Sequence, residues 1–303
     1  KFFPDFSEEE LLNCVNSAYD DKFDTKEIAP LVEKAGVHFL ELFHGPTLAF
    51  KDMALSILPY LLKTSANKLN YSKEIVILTA TSGDTGKAAL EGFKDVDGIK
   101  IIVYYPESGV SEVQKRQMIT QEGKNTYVVG IKGNFDDAQS GVKEAFNNRE
   151  FNLDLDNEGY VLSSANSINI GRLVPQVVYY FHGYLELLRS GKINEGDKIN
   201  VVVPTGNFGN ILAAYYAKKM GLPINKFICA SNENNVLTDF FRSGEYDRKR
   251  DLKLTTSPSM DILISSNLER LLYELSEENG EVINDLMNQL SSNGVYKVSE
   301  DIK

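Results

Sequence analysis

Residues 74–93, EIVILTATSGDTGKAALEGF, read as a strand, a glycine-punctuated turn and a helix in one run. The opening EIVILTA is short, continuous and β-branched, the pattern of a strand covered on both faces. An amphipathic helix over 85–93 follows directly. The same unit recurs outward along the chain. Strands are predicted at IKIIVYYP, TYVVGI, YVLSSA, INVVVPT and KFICASN, with helices over 111–122, 135–148, 171–189 and 209–219. Such alternation predicts an α/β protein with one or two open parallel sheets.

Upstream, Ser7 and Glu10 have capping-box spacing ahead of a first helix. TKEIAPLVEKAG reads as a second helix, capped by Asp24 and stopped by Gly36, and VHFLELF (37–43) as a strand. MALSILPYLL carries apolar residues at 54, 57, 58, 61 and 62, a helical stripe that Pro59 is expected to kink or shorten. The charged, turn-rich 244–260 reads as a surface loop.

Composition narrows the function. The 303 residues are 42% hydrophobic and 25% charged, which is ordinary for a globular protein, and the net charge of −11 argues against nucleic-acid binding. Cys14 and Cys229, with no CxxC or His cluster, suggest a reducing, cytoplasmic setting without a zinc site. No apolar run reaches transmembrane length and KFFPDFSEEE is no signal peptide, so no membrane partner is expected. The lack of an initiator Met and the ending at YKVSEDIK suggest a piece truncated at both ends.

In open α/β sheets ligands bind beyond the carboxyl ends of strands. Two loops there stand out, TSGDTG (81–86) and PTGNFGN (204–210). Each brings small residues, hydroxyls and peptide N–H groups to a helix start, an anion site in waiting. Either loop alone reads equally well as an ordinary capped turn. A P-loop would need Gly at 81 and Ser or Thr at 88, where the chain has Thr81 and Ala88. Arg172, near the start of the predicted helix 171–189, opposes the helix dipole, which an anionic ligand or a salt bridge would explain. Lys51 in HGPTLAFKD (44–52) sits where the pattern changes from strand to helix. Burial behind Phe50 and the dipole would both favour its neutral amine. His182 and His44 read as structural, and His38 carries no signal.

HGPTLAFKD, TATSGDTGKAAL, SEVQKRQM, GNFDDAQ, NSINIGRLVPQ and VVPTGNFGNILAAYYAKKMGLP occur in order and together resemble the threonine synthases. These are pyridoxal 5′-phosphate (PLP) enzymes of fold-type II, related to tryptophan synthase β chains. The resemblance runs from about residue 36 to about residue 270. It implies that Lys51 is the catalytic residue and forms the Schiff base with PLP. Gly206, Asn207, Phe208, Gly209 and Asn210 would wrap the PLP phosphate. Asp84 stands where many relatives have an Asn that touches the cofactor's 3′-oxygen. Thr81, Ser82, Gly83 and Thr85 would hold the substrate carboxylate. Asn166, Ser167, Asn169 and Arg172, with Lys115 as an added candidate, would reach the substrate's phosphate.

The implied reaction converts O-phospho-L-homoserine and water to L-threonine and phosphate, with no metal. The Ser or Thr that usually meets the pyridine nitrogen has no match before Lys303 and is expected outside this chain. The implied architecture has an N-terminal helical segment plus strand (1–43), an α/β domain with Lys51 (44–168), and a second with the phosphate loop (169–303). The strand 37–43 joins the second, and a cofactor cleft lies between the domains. A homo-oligomer is compatible with the sequence. The alternatives are a serine or threonine dehydratase-like lyase of the same fold, a non-catalytic relative that binds a phosphorylated metabolite, and an inactive truncated domain.

Overall fold

A computed structural model describes residues 4–302 except Gly109 and Ile168. The chain divides into two units, 1–175 and 176–303, so residues 169–175 group with the first.

The first unit begins with α1 (Glu8–Ala18), whose capping box is formed by Ser7 and Glu10. A hairpin follows, β1 (Leu31–Lys34) and β2 (Val37–Leu40), then α2 (Lys51–Lys68). The alternating part runs β3 (Glu74–Ala80), α3 (Asp84–Phe93), β4 (Ile99–Pro106), α4 (Glu112–Ile119), β5 (Thr126–Ile131), α5 (Phe135–Asn147), α6 (Arg149–Asn157) and β6 (Tyr160–Ser164). The four strands form one parallel sheet in the order β5-β4-β3-β6. Its two faces are covered as the unbroken apolar strands require. Ile75, Ile77, Ile101 and Val103 pack with Leu55 and Leu58 of α2 and with Ala88, Leu90 and Phe93 of α3. Val76, Leu78 and Ala80 pack against Ala138 and Val142 of α5. α1 sits on α2 through Cys14, Ala18, Ile57 and Leu61.

Several expectations are corrected. The stretch read as a second helix holds β1 instead. Pro30 cannot donate a helical hydrogen bond, and Ala35 and Gly36 both take positive φ, as a two-residue hairpin turn demands. The strand read over 37–43 is β2, paired antiparallel with β1 from Leu31↔Leu40 to Lys34↔Val37, and it belongs to the first unit. Asp24 caps no helix; its carboxylate meets His44 Nδ1 at 2.5 Å. α2 is not shortened by Pro59 but runs through it. The carbonyl of Leu55, one turn back, is denied its usual donor by the proline. That carbonyl faces α3, where a Cβ on Gly92 would lie 2.3 Å from it.

The second unit contains α7 (Val177–Arg189), β7 (Ile199–Pro204), α8 (Gly209–Lys219), β8 (Ile224–Ala230), α9 (Val236–Ser243), β9 (Glu245–Asp247), α10 (Leu268–Leu275), α11 (Gly280–Asn293) and β10 (Val295–Lys297). β7 and β8 pair in parallel, β9 and β10 antiparallel. The helix predicted over 171–189 starts only at Val177, after two 3-10 turns, because Pro175 interrupts it. The predicted surface loop 244–260 contains β9, where Tyr246 is buried and stacks on Tyr296 with centroids 5.2 Å apart. Among the described residues no helix is long and apolar enough to cross a membrane, and no His/Cys/Asp/Glu group could hold a metal.

Candidate active site

In the first unit the chain leaves β3 toward β4 and β5 on one side and later returns to place β6 on the other. The carboxyl ends of β3 and β6 therefore flank a topological switch point, the place where open sheets bind ligands. The loops 81–83 and 165–172 leave from those ends. Asn166 ties them together, donating from Nδ2 to the Ala80 carbonyl at 3.2 Å.

Lys51 opens α2. The Asp52 carboxylate behind it accepts the Thr47 peptide N–H at 2.8 Å and the Thr47 hydroxyl at 2.6 Å, so the HGPT turn is fastened to the helix start. The Lys51 side chain is about a tenth exposed, and its Nζ lies 3.8 Å from Asp84 Oδ2. Burial pulls its pKa down to about 8; Asp84 opposes that, while Arg172 and Lys87 add to it. Desolvation outweighs the single carboxylate, so about a tenth of the amine is neutral at pH 7, against less than about a thousandth for a solvated lysine.

Asp84 starts α3, and its Oδ1 accepts from Gln114 Nε2 at 2.7 Å. Lys87 Nζ lies 3.3 Å from the same oxygen. Thr81 is buried, and its hydroxyl accepts the peptide N–H groups of Gly83 and Gly86, both at 2.9 Å. That hydroxyl shapes the loop. Gly83 has φ of 141°, open only to glycine, and a Cβ there would strike Gln114 at 2.2 Å. Ser82 is exposed and Thr85 half-buried at the start of α3.

The 165–172 segment is built from its own amides. Asn166 N–H donates to Ser164 Oγ, Asn169 Nδ2 donates to the Ser164 carbonyl at 2.8 Å, and Asn169 Oδ1 accepts Gly171 N–H at 2.9 Å. Asn166 and Asn169 thus hold the loop's shape, while Ser167 is half-buried within it. Arg172 is buried in a 3-10 turn and donates from Nη1 to the Ala165 carbonyl at 3.0 Å. The helix-dipole argument for Arg172 fails, because α7 begins at Val177; what marks it is a buried charge felt at Lys51. Lys115 is half-buried on α4, whereas its neighbour Gln114 is the residue turned to Asp84.

In the second unit, Gly206–Asn210 joins β7 to α8. Ser265 Oγ donates to the Gly206 carbonyl at 2.6 Å. The Asn207 carbonyl accepts both the peptide N–H and Nδ2 of Asn267, each at 3.1 Å. Across a trans peptide the N–H points opposite to the carbonyl. The N–H groups of Asn207 and Phe208 therefore face away from 265–267, in company with the positive start of α8. Phe208 is buried with φ of 65°, a left-handed conformation that costs a bulky residue about 1–3 kcal/mol and is characteristic of functional sites. Gly209 packs near Asn267 Nδ2, and the Asn210 side-chain oxygen accepts the Tyr180 hydroxyl at 2.5 Å. Two backbone donors beside a helix start suit a phosphate, and the Lys51 amine, which burial makes easier to deprotonate, suits a carbonyl, so both units carry residues that fit PLP.

Sequence reasoning missed Lys87, Gln114, Ser265, Asn267 and Tyr180. Lys87 was legible as one helical turn from Asp84; Ser265 and Asn267 were legible as polar residues ahead of the amphipathic LERLLYEL.

Residues 26–286 match the family described as pyridoxal-phosphate dependent enzyme. The chain belongs to that family. It is 47% identical to human Threonine synthase-like 1, over 96% of this chain and 40% of that protein. It is 40% identical to threonine synthase of Saccharomyces cerevisiae, over 97% of this chain and 59% of that protein. PLP-bound threonine synthase from Brucella melitensis superposes with a TM-score of 0.85 at 42% identity, over 97% of this chain and 61% of that one. The fold is that of the fold-type II PLP enzymes, as the resemblance implied, and the chain spans 40% to 61% of the length of these relatives.

Proposed function

We propose that the chain carries the Lys51 half and the phosphate loop of a threonine synthase, which turns O-phospho-L-homoserine and water into L-threonine and phosphate. The observation that carries this reading is the buried Lys51 amine, pulled down to about 8 beside Asp84 and Arg172 at the switch point. The likeness to threonine synthases supplies the reaction.

Lys51 would hold the cofactor, and the peptide N–H groups of Asn207 and Phe208 would hold its phosphate. Bound PLP supplies an electron sink for charge developing beside the substrate's amino group. Lys51 Nζ would take the proton from the substrate's α-carbon and, once it has passed that proton on, one from the β-carbon. Both transfers would use the neutral form of the amine, whose share near pH 7 burial raises. The start of α3, with Ser82 and Thr85, orients the α-carboxylate. Arg172 presents a delocalised cation to the departing phosphate, with Ser167 beside it.

The test is direct. PLP added to the chain should give a near-visible absorbance band, and borohydride should fix the cofactor on Lys51 in peptide mapping. Lys51→Ala should abolish both. O-Phosphohomoserine should then release phosphate and threonine, and Arg172→Ala should lower kcat/KM by about tenfold to a hundredfold, the range for losing a charge-assisted hydrogen bond. A 2-oxo acid from serine or threonine, with phosphohomoserine untouched, would replace the reading by a dehydratase. The likeness to human Threonine synthase-like 1 favours one second reading: a PLP-binding relative with a different phosphorylated substrate. Covalent PLP on Lys51 without phosphate release would select it.

A further inference from the structure

Lys87 takes no part in the reaction as proposed, yet it is a buried ammonium inside the site. Its side chain is about a tenth exposed, and Nζ lies 3.3 Å from Asp84 Oδ1. A lysine in the first turn of α3 opposes the helix dipole, and burying its compact, strongly hydrated charge costs desolvation. Both costs are offset at one carboxylate, the same one that turns Oδ2 toward Lys51 Nζ at 3.8 Å. Gln114 Nε2 joins Lys87 on Oδ1. Asp84 is therefore gripped on one oxygen by a cation and an amide, and offers the other to Lys51.

The charged groups acting on the Lys51 amine come from two elements: α3 brings Asp84 and Lys87, and the 3-10 turn after β6 brings Arg172. On its own helix the neighbouring carboxylate, Asp52, has both oxygens engaged by Thr47. Asp84 favours a proton on Lys51, whereas Lys87 and Arg172 disfavour it. With Lys87 removed, Asp84 would lose one of its two cationic neighbours and pair with Lys51 alone.

We propose that Lys87 is a positioning residue of this site: it holds Asp84 by Oδ1 and adds a like charge that makes the Lys51 amine easier to deprotonate. The inference rests on reading Lys51 as the cofactor-bearing amine, but its test reads the amine itself.

Competitive labelling of the chain with acetic anhydride across pH, followed by peptide mass spectrometry, gives the midpoint at which Lys51 becomes reactive. The parent chain should show a midpoint near 8. Lys87→Met and Lys87→Gln should raise it, lowering Lys51 labelling at pH 7 about tenfold, the equivalent of about one pKa unit. Lys87→Arg, which keeps the charge, should restore most of the parent profile, and thermal melts should show all variants folded. An unchanged midpoint in folded Lys87→Met or Lys87→Gln overturns the proposal. So does Lys87→Arg behaving like Lys87→Met, since the side chain's shape would then matter and not its charge. If neither neutral variant folds, an Arg variant whose midpoint departs from the parent's by a full unit overturns it equally. A shifted midpoint in a chain that takes up no PLP would keep this inference and remove the cofactor reading.

Discussion

At Lys51 two forces pull one proton in opposite directions: loss of water around the amine and the pull of Asp84. Desolvation wins, and the consequence is a pH dependence with a definite sign. The folded pKa is about 8 against the ordinary lysine value of 10.5, so between those values the unfolded chain holds the extra proton. Stability from this group therefore rises as pH climbs from about 8 to 10.5, and is lowest below 8. The rate of PLP uptake should follow the neutral amine, rising tenfold per pH unit up to about 8 and flattening above it. Stopped-flow absorbance checks this; a rate that keeps climbing to pH 10 would mean an ordinary solvated lysine. The placement of Lys51 was legible in HGPTLAFKD, because an amine between Phe50 and an apolar helix has to be dried. Its partners were less so. Lys115 was favoured over Gln114, and one residue along a helix is a rotation of about 100°, invisible until the helix is placed.

Among the elements, α2 and α3 meet where their backbones nearly touch. Pro59 leaves the Leu55 carbonyl without its helical donor, and Gly92 lets α3 approach that carbonyl. Gly92→Ala would put a Cβ 2.3 Å from the oxygen, so the helices must part. We expect a loss of about 1–3 kcal/mol, read by urea denaturation, together with weaker PLP retention because both helices start in the site. On the phosphate side, Asn267→Ala removes the side-chain bond to the Asn207 carbonyl while leaving the peptide bond in place. PLP affinity should fall by roughly threefold to tenfold, about 1 kcal/mol, with the melting curve little changed. The strands β3 to β8 and the helices α3, α4, α5 and α8 were legible because unbroken β-branched runs and amphipathic runs differ in period, whereas α6, α9, α10 and the short strands β9 and β10 were not predicted. The hairpin β1–β2 and the late start of α7 were not. In both places a proline settles the matter against a helical apolar pattern.

For the molecule as a whole, the first unit holds a four-stranded sheet with both faces covered by its own helices. Every charge that acts on Lys51 lies within it, since Asp84, Lys87 and Arg172 all precede residue 176. Residues 1–175 expressed alone should therefore fold cooperatively and keep a Lys51 midpoint near 8, and on the proposed reading of 206–210 as the phosphate loop their PLP retention should drop. A Lys51 midpoint near 10.5 in that fragment would show that the second unit dries the amine. The glycine loop was legible at once. Its supports were legible only as polar residues ahead of a helix; that Ser265 and Asn267 pair with this loop was not, because they reach it from far along the chain and no local pattern records such a pairing. That distance has a further meaning. Since Ser265 and Asn267 hold two of the loop's carbonyls, any taste of the proposed phosphate loop for one tetrahedral oxyanion over another would be written partly outside the loop. A library randomised at Ser265 and Asn267, with GNFGN left intact, should sort variants by their ranking of phosphate, arsenate and sulfate.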